Sequence, residues 1–200
     1  MIRFSNIIIK QFLHFLSILH NAVVFLRYNI KLKDISKIKG FIYVCGNGKL
    51  RIGDNFRANS GSAFNVIGGD TRLNILLKDN AEFCIGDNCG ISNSTIVCHE
   101  KVTIGNNVLI GGSVKIYDTD FHSLAPLDRQ NPFLDRKNAK TAPIFIGNNV
   151  FIGAHSIILK GSQVGEGSVI GAGSVVSGNI PAYEIWDGRP ARFIKNVTHV

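Results

Sequence analysis

The sequence lacks the cysteine patterns of a disulfide scaffold or a zinc finger. Its four cysteines form no Cys-x-x-Cys pair and have no histidine at zinc-finger spacing, so we interpret them as reduced and mostly buried thiols. A catalytic pairing of Cys98 with His99 is disfavoured because neighbouring residues on a strand point to opposite faces. The four cysteines are Cys45, Cys84, Cys89 and Cys98.

Proline is also scarce, at 5 of 200 residues, and the 21 glycines follow no Gly-X-Y period. This excludes a collagen-like fibre and indicates that glycine marks many short turns. Since 45% of the residues are hydrophobic, the chain can bury one substantial core. Intrinsic disorder is therefore excluded as its main state.

Excess positive charge is scarce outside one segment. The formal net charge is +8, but residues 1–40 hold seven Lys and Arg side chains against one Asp, a balance of +6. The other 160 residues carry a balance of only +2. This distribution argues against a nucleic-acid partner, because binding to nucleic acid needs a basic surface.

An internal repeat is the strongest pattern in the sequence. Ile-Gly-Asp/Asn-Asn begins at Ile52, Ile85, Ile104 and Ile146, and aliphatic residues recur every six positions from Ile146 to Val176. Six is neither a helical nor a hairpin period. It is typical of short strands separated by corners, where an aliphatic residue points inward and Gly, Asn or Asp turns the chain. Three hexads, about 18 residues, predict one triangular coil, and stacked coils bury a continuous core.

An antiparallel β-sandwich is the alternative fold. The unbroken hexads disfavour it, because sandwich strands are separated by turns at intervals of about 8 to 12 residues. The pattern before Ile104 is less regular: the step from Val97 to Ile104 is seven, and residues 64–83 contain inserted positions. We therefore predict bulges or excursions in the early coils.

The hexads stop between Tyr117 and Pro143 and then resume at once. A long loop that interrupts a repeat is usually functional, with an idle insertion as the alternative. We therefore predict a basic amphipathic helix and connector over residues 1–40, a β-helix with a catalytic loop insertion at 117–143 over residues 41–181, and a C-terminal tail over residues 182–200.

The N-terminal segment is predicted to form a helix with a narrow polar stripe at Lys10, His14, Ser17, Asn21 and Tyr28. Only 16 residues, from 11 to 26, separate its charges, fewer than the roughly 20 of a comfortable membrane span, and no cleavage site follows. Two interpretations stay open. The helix contacts an anionic membrane surface peripherally, or it packs on the coil or on a neighbouring subunit.

The runs IGNNVLIGGSVKIYDTDFHS and PIFIGNNVFIGAHSIILKGSQVGEGSVIGAGSVV resemble the hexapeptide-repeat acetyltransferases, and the resemblance covers roughly residues 45–195. Asp-Thr-Asp-Phe-His before a long loop is closest to the polysaccharide O-acetyltransferases of that family. The resemblance implies a left-handed parallel β-helix, a homotrimer with active sites between subunits, and acetyl-CoA as cosubstrate. It also implies transfer to a saccharide hydroxyl in surface polysaccharide biosynthesis, in the cytoplasm or peripherally on the inner face of the membrane.

The resemblance aligns His122 with the catalytic base of the family. A sugar hydroxyl is a poor nucleophile near neutral pH, and imidazole is well matched to removing its proton. Asp118 and Asp120 are close enough in sequence for either one to orient the imidazole. Asn93 matches an Asn that helps to hold the acceptor. The alternatives are an exposed loop histidine for His122 and a structural corner residue for Asn93.

The resemblance also implies a coenzyme A site between the C-terminal coils, where small residues admit the pantetheine arm and cations meet the phosphates. Phe151 stands where a Trp is common, and Gly178 stands where a Lys is frequent, so Lys160 or Arg189 is expected to compensate. The complete set is Phe151, Ala154, Lys160, Ala172, Ser177, Arg189, Arg192 and Lys195.

Three other functions compete with this hypothesis. A zinc enzyme on the same fold needs convergent histidines, and the spacing of His99, His122 and His155 does not suggest them, so no metal is expected. An N-acetyltransferase acting on an amino sugar, free or nucleotide-linked, would use the same base and cofactor. A non-catalytic β-helix scaffold would not bind acetyl-CoA at all.

Overall fold

The computed structural model is a three-sided parallel β-helix with a long helix across its N-terminal end. It describes residues 2–65, 67 and 72–198, with side chains from residue 7 onward. Met1 of the predicted N-terminal segment and residues 199–200 of the predicted tail lie outside this range. So do residues 66 and 68–71 of the predicted early excursion.

Helix α1 is Ile2–Arg27 and helix α2 is Pro132–Asn138, with 3₁₀ turns at Ile35–Lys37 and Asp128–Gln130. The strands are β1 (Ile38–Lys39), β2 (Tyr43–Gly46), β3 (Lys49–Ile52), β4 (Arg57–Asn59), β5 (Asn74–Leu77), β6 (Glu82–Ile85), β7 (Gly90–Ser92), β8 (Thr95–Cys98), β9 (Lys101–Ile104), β10 (Leu109–Ile110), β11 (Lys115–Tyr117), β12 (Ile144–Ile146), β13 (Phe151–Ile152), β14 (Ile157–Leu159), β15 (Gln163–Val164), β16 (Val169–Ile170), β17 (Val175–Val176), β18 (Asn179–Ile180), β19 (Glu184–Gly188) and β20 (Ala191–Asn196).

The strands form three sheets, and the chain visits them in turn. Sheet A has the order β1-β4-β7-β10-β13-β16-β19-β20, sheet B runs from β2 through β5, β8, β11 and β14 to β17, and sheet C from β3 through β6, β9, β12 and β15 to β18. All neighbours pair in parallel except β19 and β20, which form an antiparallel hairpin. The segment predicted as a C-terminal tail therefore contains a strand of sheet A and its hairpin partner.

The hexad positions form the core, as the sequence predicted. The inward residues from Ile104 to Ile116 and from Ile146 to Val176 are all buried, and equivalent residues stack in register, as Ile116 does on Ile158. Burying a side chain of this size stabilises the fold by about 1.5–3 kcal/mol. Because each coil covers the next, the core is continuous along the axis.

Asparagine and aspartate side chains join the coils at the corners between sheets C and A. Asn107 and Asn149 adopt positive φ, of 58° and 59°. Their neighbours accept hydrogen bonds from the previous coil: Asn106 Oδ1 from the Asp87 N–H at 2.7 Å, and Asn148 Oδ1 from the Asn106 N–H at 2.8 Å. These side chains therefore bond the backbone of an adjacent coil, whereas the sequence pattern predicts bonds to their own backbone.

The insertions predicted in the early coils lie at two corners: the long segment between β4 and β5 lies at the corner between sheets A and B, and shorter insertions lie at the corner between sheets B and C. Ile96 and Ile104 occupy equivalent inward positions eight residues apart, and Val97, taken as the inward residue in the sequence, instead pairs with Tyr117 and Leu76 on the outer side. The loop of residues 117–143 enters at the corner between sheets B and C one coil later. A corner accepts extra residues because strand pairing continues on both sides of it.

Candidate active site

The interrupting loop has a closed neck. The Ala142 N–H donates to the Asp118 carbonyl at 3.0 Å, and the Asp120 N–H donates to the Lys140 carbonyl at 3.0 Å. The Thr141 hydroxyl donates to Glu100 Oε2 at 2.6 Å, which ties the neck to the preceding coil. The loop therefore leaves and rejoins the β-helix at one point, and α2 lies inside it.

A tight turn presents His122 directly after the neck. The His122 N–H donates to the Asp120 carbonyl at 2.7 Å across Phe121, whose φ is +64°. This is a γ-turn of the rare form with positive φ, which is strained for a non-glycine residue. The Phe121 ring packs edge-on against Tyr117 and His99, with centroids 5.2 and 6.0 Å away. These ring contacts hold the turn in place.

Asp135 is the carboxylate that contacts His122. Its Oδ2 lies 2.6 Å from His122 Nδ1, and its Oδ1 accepts the Ser123 N–H at 2.8 Å. The hydrogen bond from His122, followed by that from Ser123, holds the pKa of Asp135 below its usual value. An ionised carboxylate only accepts hydrogen bonds, so the hydrogen lies on Nδ1 and Nε2 is left as the basic nitrogen.

Asn131 fixes the position of α2 and thereby of Asp135. The Asn131 side chain accepts the Phe133 and Leu134 N–H groups as an N-cap, and Pro132 occupies the first turn. Asp128 accepts from the Ser123 hydroxyl at 2.6 Å and from Asn138 Nδ2 at 2.8 Å, which lowers the pKa of Asp128. These contacts hold the two ends of the loop together.

The expectation that Asp118 or Asp120 orients the imidazole is wrong in this structure. Asp118 is buried and accepts three backbone hydrogen bonds, at 2.7 to 2.9 Å, from residues 99–101. Asp120 Oδ2 lies 3.4 Å from Lys160 Nζ but accepts no hydrogen bond among the described residues. Both carboxylates therefore support the neck of the loop, and neither contacts His122.

Cys98 and His99 do not form a catalytic pair. The Cys98 side chain points into the core, where burial, followed by the charge of Asp118, raises its pKa to about 12. The pKa of His99 is lowered by burial and then by Lys78. A thiol with such a pKa is protonated near neutral pH and is a poor nucleophile.

The residues matched to coenzyme A lie at three places: the two corners that flank sheet B, and sheet A. Ala154 and Ala172 stack at the corner between sheets A and B, and Arg189 Nε donates to the Gly173 carbonyl there at 2.6 Å. Lys160 and Ser177 lie at the corner between sheets B and C, the corner that carries His122. Phe151, Arg192 and Lys195 lie on sheet A, where Phe151 lines a cleft of about 370 Å³ with Leu109 and Arg57.

Asn93 lies at the corner between sheets A and B, across sheet B from His122. It is buried with φ +30°, and its Oδ1 accepts the Gly61 N–H at 2.7 Å. This contact holds the start of the segment between β4 and β5, so Asn93 has a structural role within one chain. Its contact with an acceptor stays a prediction.

The three histidines of a zinc site do not meet. His155 lies at the corner between sheets A and B, whereas His99 and His122 lie at the corner between sheets B and C. Within the part of the chain that the structure describes, no group of three or more His, Cys, Asp or Glu side chains is arranged to hold a metal ion.

Comparison with known proteins defines the class. Residues 143–178 match the family described as bacterial transferase hexapeptide (six repeats). The chain is similar to the hexapeptide-repeat acetyltransferase VCA0836 from Vibrio cholerae, at 28% identity and a TM-score of 0.54, covering 78% of this chain and 74% of that chain. It is also similar to a galactoside acetyltransferase in complex with coenzyme A, at 33% identity and a TM-score of 0.58, covering 74% of this chain and 65% of that chain.

The polysialic acid O-acetyltransferase OatWY shares the fold, at 22% identity and a TM-score of 0.62 over 80% of this chain and 71% of that chain. No curated protein matches the chain. The repeats, the sheet topology and these similarities define a left-handed β-helix enzyme of the acyltransferase class. The resemblance to hexapeptide-repeat acetyltransferases that the sequence predicted is confirmed by these matches.

Proposed function

We propose that this enzyme transfers the acetyl group of acetyl-CoA to a hydroxyl of a saccharide, in surface polysaccharide biosynthesis, with His122 as the base. The observation that carries the proposal is the contact of His122 Nδ1 with Asp135, which directs Nε2 away from the carboxylate. The side chain of His122 is 70% exposed, so an acceptor can reach it. Similarity to a galactoside acetyltransferase in complex with coenzyme A supports both substrates.

The proposed reaction is a direct transfer. His122 Nε2 takes the proton of the acceptor hydroxyl as its oxygen attacks the thioester carbonyl carbon. The carbon–sulfur bond then breaks, and the thiolate of coenzyme A leaves and takes up the proton from His122 Nε2, which returns the imidazole to its neutral form. Asp135 keeps the imidazole in the tautomer with a free Nε2 and stabilises its protonated form, so we assign it as a positioning residue.

We infer that the enzyme is a homotrimer whose active site is completed by a second copy of the chain. The residues proposed to bind coenzyme A lie on both edges of sheet B and on sheet A, and only Lys160 and Ser177 share the corner of His122. Large apolar side chains remain exposed on the outer faces of the coils, among them Leu109, Phe145 and Phe151. Asn93 is proposed to contribute to the acceptor site of a neighbouring subunit.

Thiol release from acetyl-CoA in the presence of saccharide acceptors tests the reaction. We expect turnover with a hydroxyl acceptor and a loss of about 10²–10⁴-fold in kcat for His122→Ala, the usual contribution of a positioned base. Turnover only with amino sugars would favour the N-acetyltransferase alternative. A lack of acetyl-CoA binding in a thermal-shift assay would favour the scaffold.

The four cysteines allow a separate check of direct transfer. Incubation with acetyl-CoA alone should leave the mass of the protein unchanged. An acetylated cysteine found by mass spectrometry would contradict the mechanism, because it would reveal a covalent intermediate. Cys45 is the exposed thiol, so its peptide is the reference for chemical acetylation that does not involve the active site.

Mixed oligomers test the shared active site. A His122→Ala subunit and a subunit carrying Arg192→Ala and Lys195→Ala are each expected to have low activity when expressed alone. Co-expression should restore part of the activity, because some interfaces then combine an intact His122 with an intact pair of cations. No recovery in verified mixed trimers would place the complete site within one chain.

A further inference from the structure

Helix α1 packs on the β-helix through its polar stripe. Asn21 Nδ2 donates to the Gly40 carbonyl at 2.9 Å, while its Oδ1 accepts the Ile42 N–H at 3.2 Å. Ser17 Oγ accepts the Gly40 N–H at 3.2 Å, and the Tyr28 hydroxyl donates to the Gly46 carbonyl at 2.7 Å. These backbone groups belong to the first coil, which has no coil below it to bond. The polar stripe thus supplies hydrogen-bond partners to backbone groups at the open N-terminal end of the β-helix.

The opposite side of α1 is apolar and exposed. At about 100° per residue, eight large side chains fall within an arc of about 120° that is centred opposite Ser17 and Asn21. They are between 36% and 75% exposed. We call them the outer face of α1: Ile8, Ile9, Phe12, Phe15, Leu16, Leu19, Val23 and Leu26. Among residues 7–26, no polar side chain lies inside this arc.

This arrangement reverses the usual surface helix, which buries its apolar face and exposes its polar face. A monomeric soluble protein rarely leaves so continuous an apolar surface exposed, so the outer face needs a partner. The arc is also wider than the narrow seam of a two-helix coiled coil. A bilayer can contact the whole width of this arc, whereas a single partner helix would cover only a narrow seam of it.

Positive charge lies next to the outer face. Arg27 stands at the edge of the arc, and Lys31 follows it in the chain, exposed and without an ion pair among the described residues. A cleft of about 400 Å³ at the C-terminal end of α1 is lined by Arg27, Lys49 and Arg51. Cations beside an apolar helix match a membrane surface with anionic headgroups.

A transmembrane orientation does not fit these contacts. Residues Ile7–Arg27 are long and apolar enough to cross a bilayer by composition, which is weak evidence by itself. Crossing would remove Ser17 and Asn21 from the backbone groups that they bond and leave them unsatisfied in hydrocarbon. The helix therefore lies flat against the coil.

We propose that the outer face of α1 docks the enzyme on a bilayer that contains anionic phospholipid, with the helix axis in the plane of the interface. The β-helix then stands on the membrane by its N-terminal end. The catalytic loop follows β11, three strand steps from β2 in sheet B, about 14 Å along the coil axis. This docking surface is independent of the proposed acyl transfer.

Vesicle co-sedimentation of the full chain tests the proposal. The probes are vesicles of phosphatidylcholine alone and vesicles with added phosphatidylglycerol. The wild-type chain should sediment with the anionic vesicles, more weakly in high salt, and more weakly with the neutral ones. Phe12→Ser combined with Phe15→Ser and Leu19→Ser should lower the bound fraction by at least about 10-fold, because the outer face supplies the apolar contact.

The matched control is Leu124→Ser combined with Leu127→Ser, two leucines that are each 75% exposed but lie far along the chain from α1. This variant should bind vesicles like the wild type. If the control loses binding equally, or if the wild type does not bind anionic vesicles, the proposal is wrong.

Light scattering without vesicles separates the bilayer from a second copy of the chain. The triple serine variant should keep the oligomeric mass of the wild type and its thiol release with a soluble acceptor. A drop to a smaller oligomer would identify the outer face as a subunit interface and overturn the proposal. If the wild type itself shows no thiol release, the proposed acyl transfer is wrong, but the membrane docking is not. Failure of one proposal is therefore distinguishable from failure of the other.

Discussion

His122 Nδ1 and Asp135 Oδ2 lie 2.6 Å apart because two local structures bring them together. A γ-turn at Phe121 presents the histidine, and the capped start of α2 presents the carboxylate. The second oxygen of Asp135 accepts the Ser123 N–H, so the carboxylate is fixed from both sides. This pairing of a base with an orienting acid recurs in base-activated enzymes.

Asp135→Asn should lower kcat by roughly 10- to 1,000-fold, because an amide cannot stabilise a protonated imidazole as a carboxylate does. The KM for acetyl-CoA should change little, since Asp135 contacts only the loop. Steady-state kinetics measure kcat and KM, and a thermal melt measures the stability of the variant. An unchanged melting temperature would show that the loss of kcat comes from the lost positioning of His122 and not from unfolding.

Asp120→Asn is the matched control for Asp135→Asn. It makes the same chemical change in the same loop, but Asp120 faces Lys160 and not His122. Its kcat should stay within a few-fold of the wild type. A larger loss in this variant than in Asp135→Asn would restore Asp120 as the partner of the imidazole.

The fold could be predicted from the sequence because the hexad is a short-range pattern. Each inward position can be recognised from the aliphatic residues six positions before and after it. This spacing predicts the buried residues from Ile146 to Val176. The break in the repeat likewise predicted the position of the loop that contains His122. Asp135 was missed because its approach to His122 depends on the path of an aperiodic segment. Asn131 followed by Pro132 is a helix-start signal that could have predicted α2.

The orientation of α1 could not be predicted from the sequence. The polar stripe was visible, but the usual rule places the apolar face of a helix toward the core. The rule fails here because the first coil offers unpaired backbone groups, which Ser17 and Asn21 satisfy. The side of α1 that faces the β-helix becomes clear only when the helix is seen packed on the first coil.

Cys98→Ala should keep kcat within about 3-fold of the wild type, because Cys98 points into the core. With a pKa of about 12, its thiolate fraction at pH 8 is on the order of 10⁻⁴. A thiol-reactive reagent should therefore modify exposed Cys45 well before Cys98 in the folded protein. Rapid labelling of Cys98, or loss of activity in the alanine variant, would contradict this assignment.

Asn107→Ala should reduce the free energy of unfolding by about 1–2 kcal/mol, since alanine lacks the side-chain hydrogen bonding that lets asparagine adopt a φ of 58°. Asn107→Gly is the matched variant and should lose less, because glycine adopts this conformation freely and only the contact with Asn149 at 3.1 Å is removed. Chemical denaturation measures both. A glycine variant less stable than the alanine variant would show that backbone strain at this positive φ is not the main cost of replacing Asn107.

The loop should open in acid before the β-helix unfolds. The pKa values of Asp135 and Asp128 are lowered in the folded protein, so the stability that they contribute is present above their unfolded value of 3.8. It is lost as the pH falls through the lowered folded values, when protonation removes the contacts with His122 and Ser123. Hydrogen exchange should therefore show the protection of the Ser123 amide falling below about pH 4, while the amide of Ile158 in the core stays protected.

Asp135→Asn removes the titrating group that accepts the Ser123 N–H. The protection of the Ser123 amide should therefore be lower than in the wild type at pH 6 and should depend less on pH. Equal pH dependence in both proteins would show that another group controls the loop.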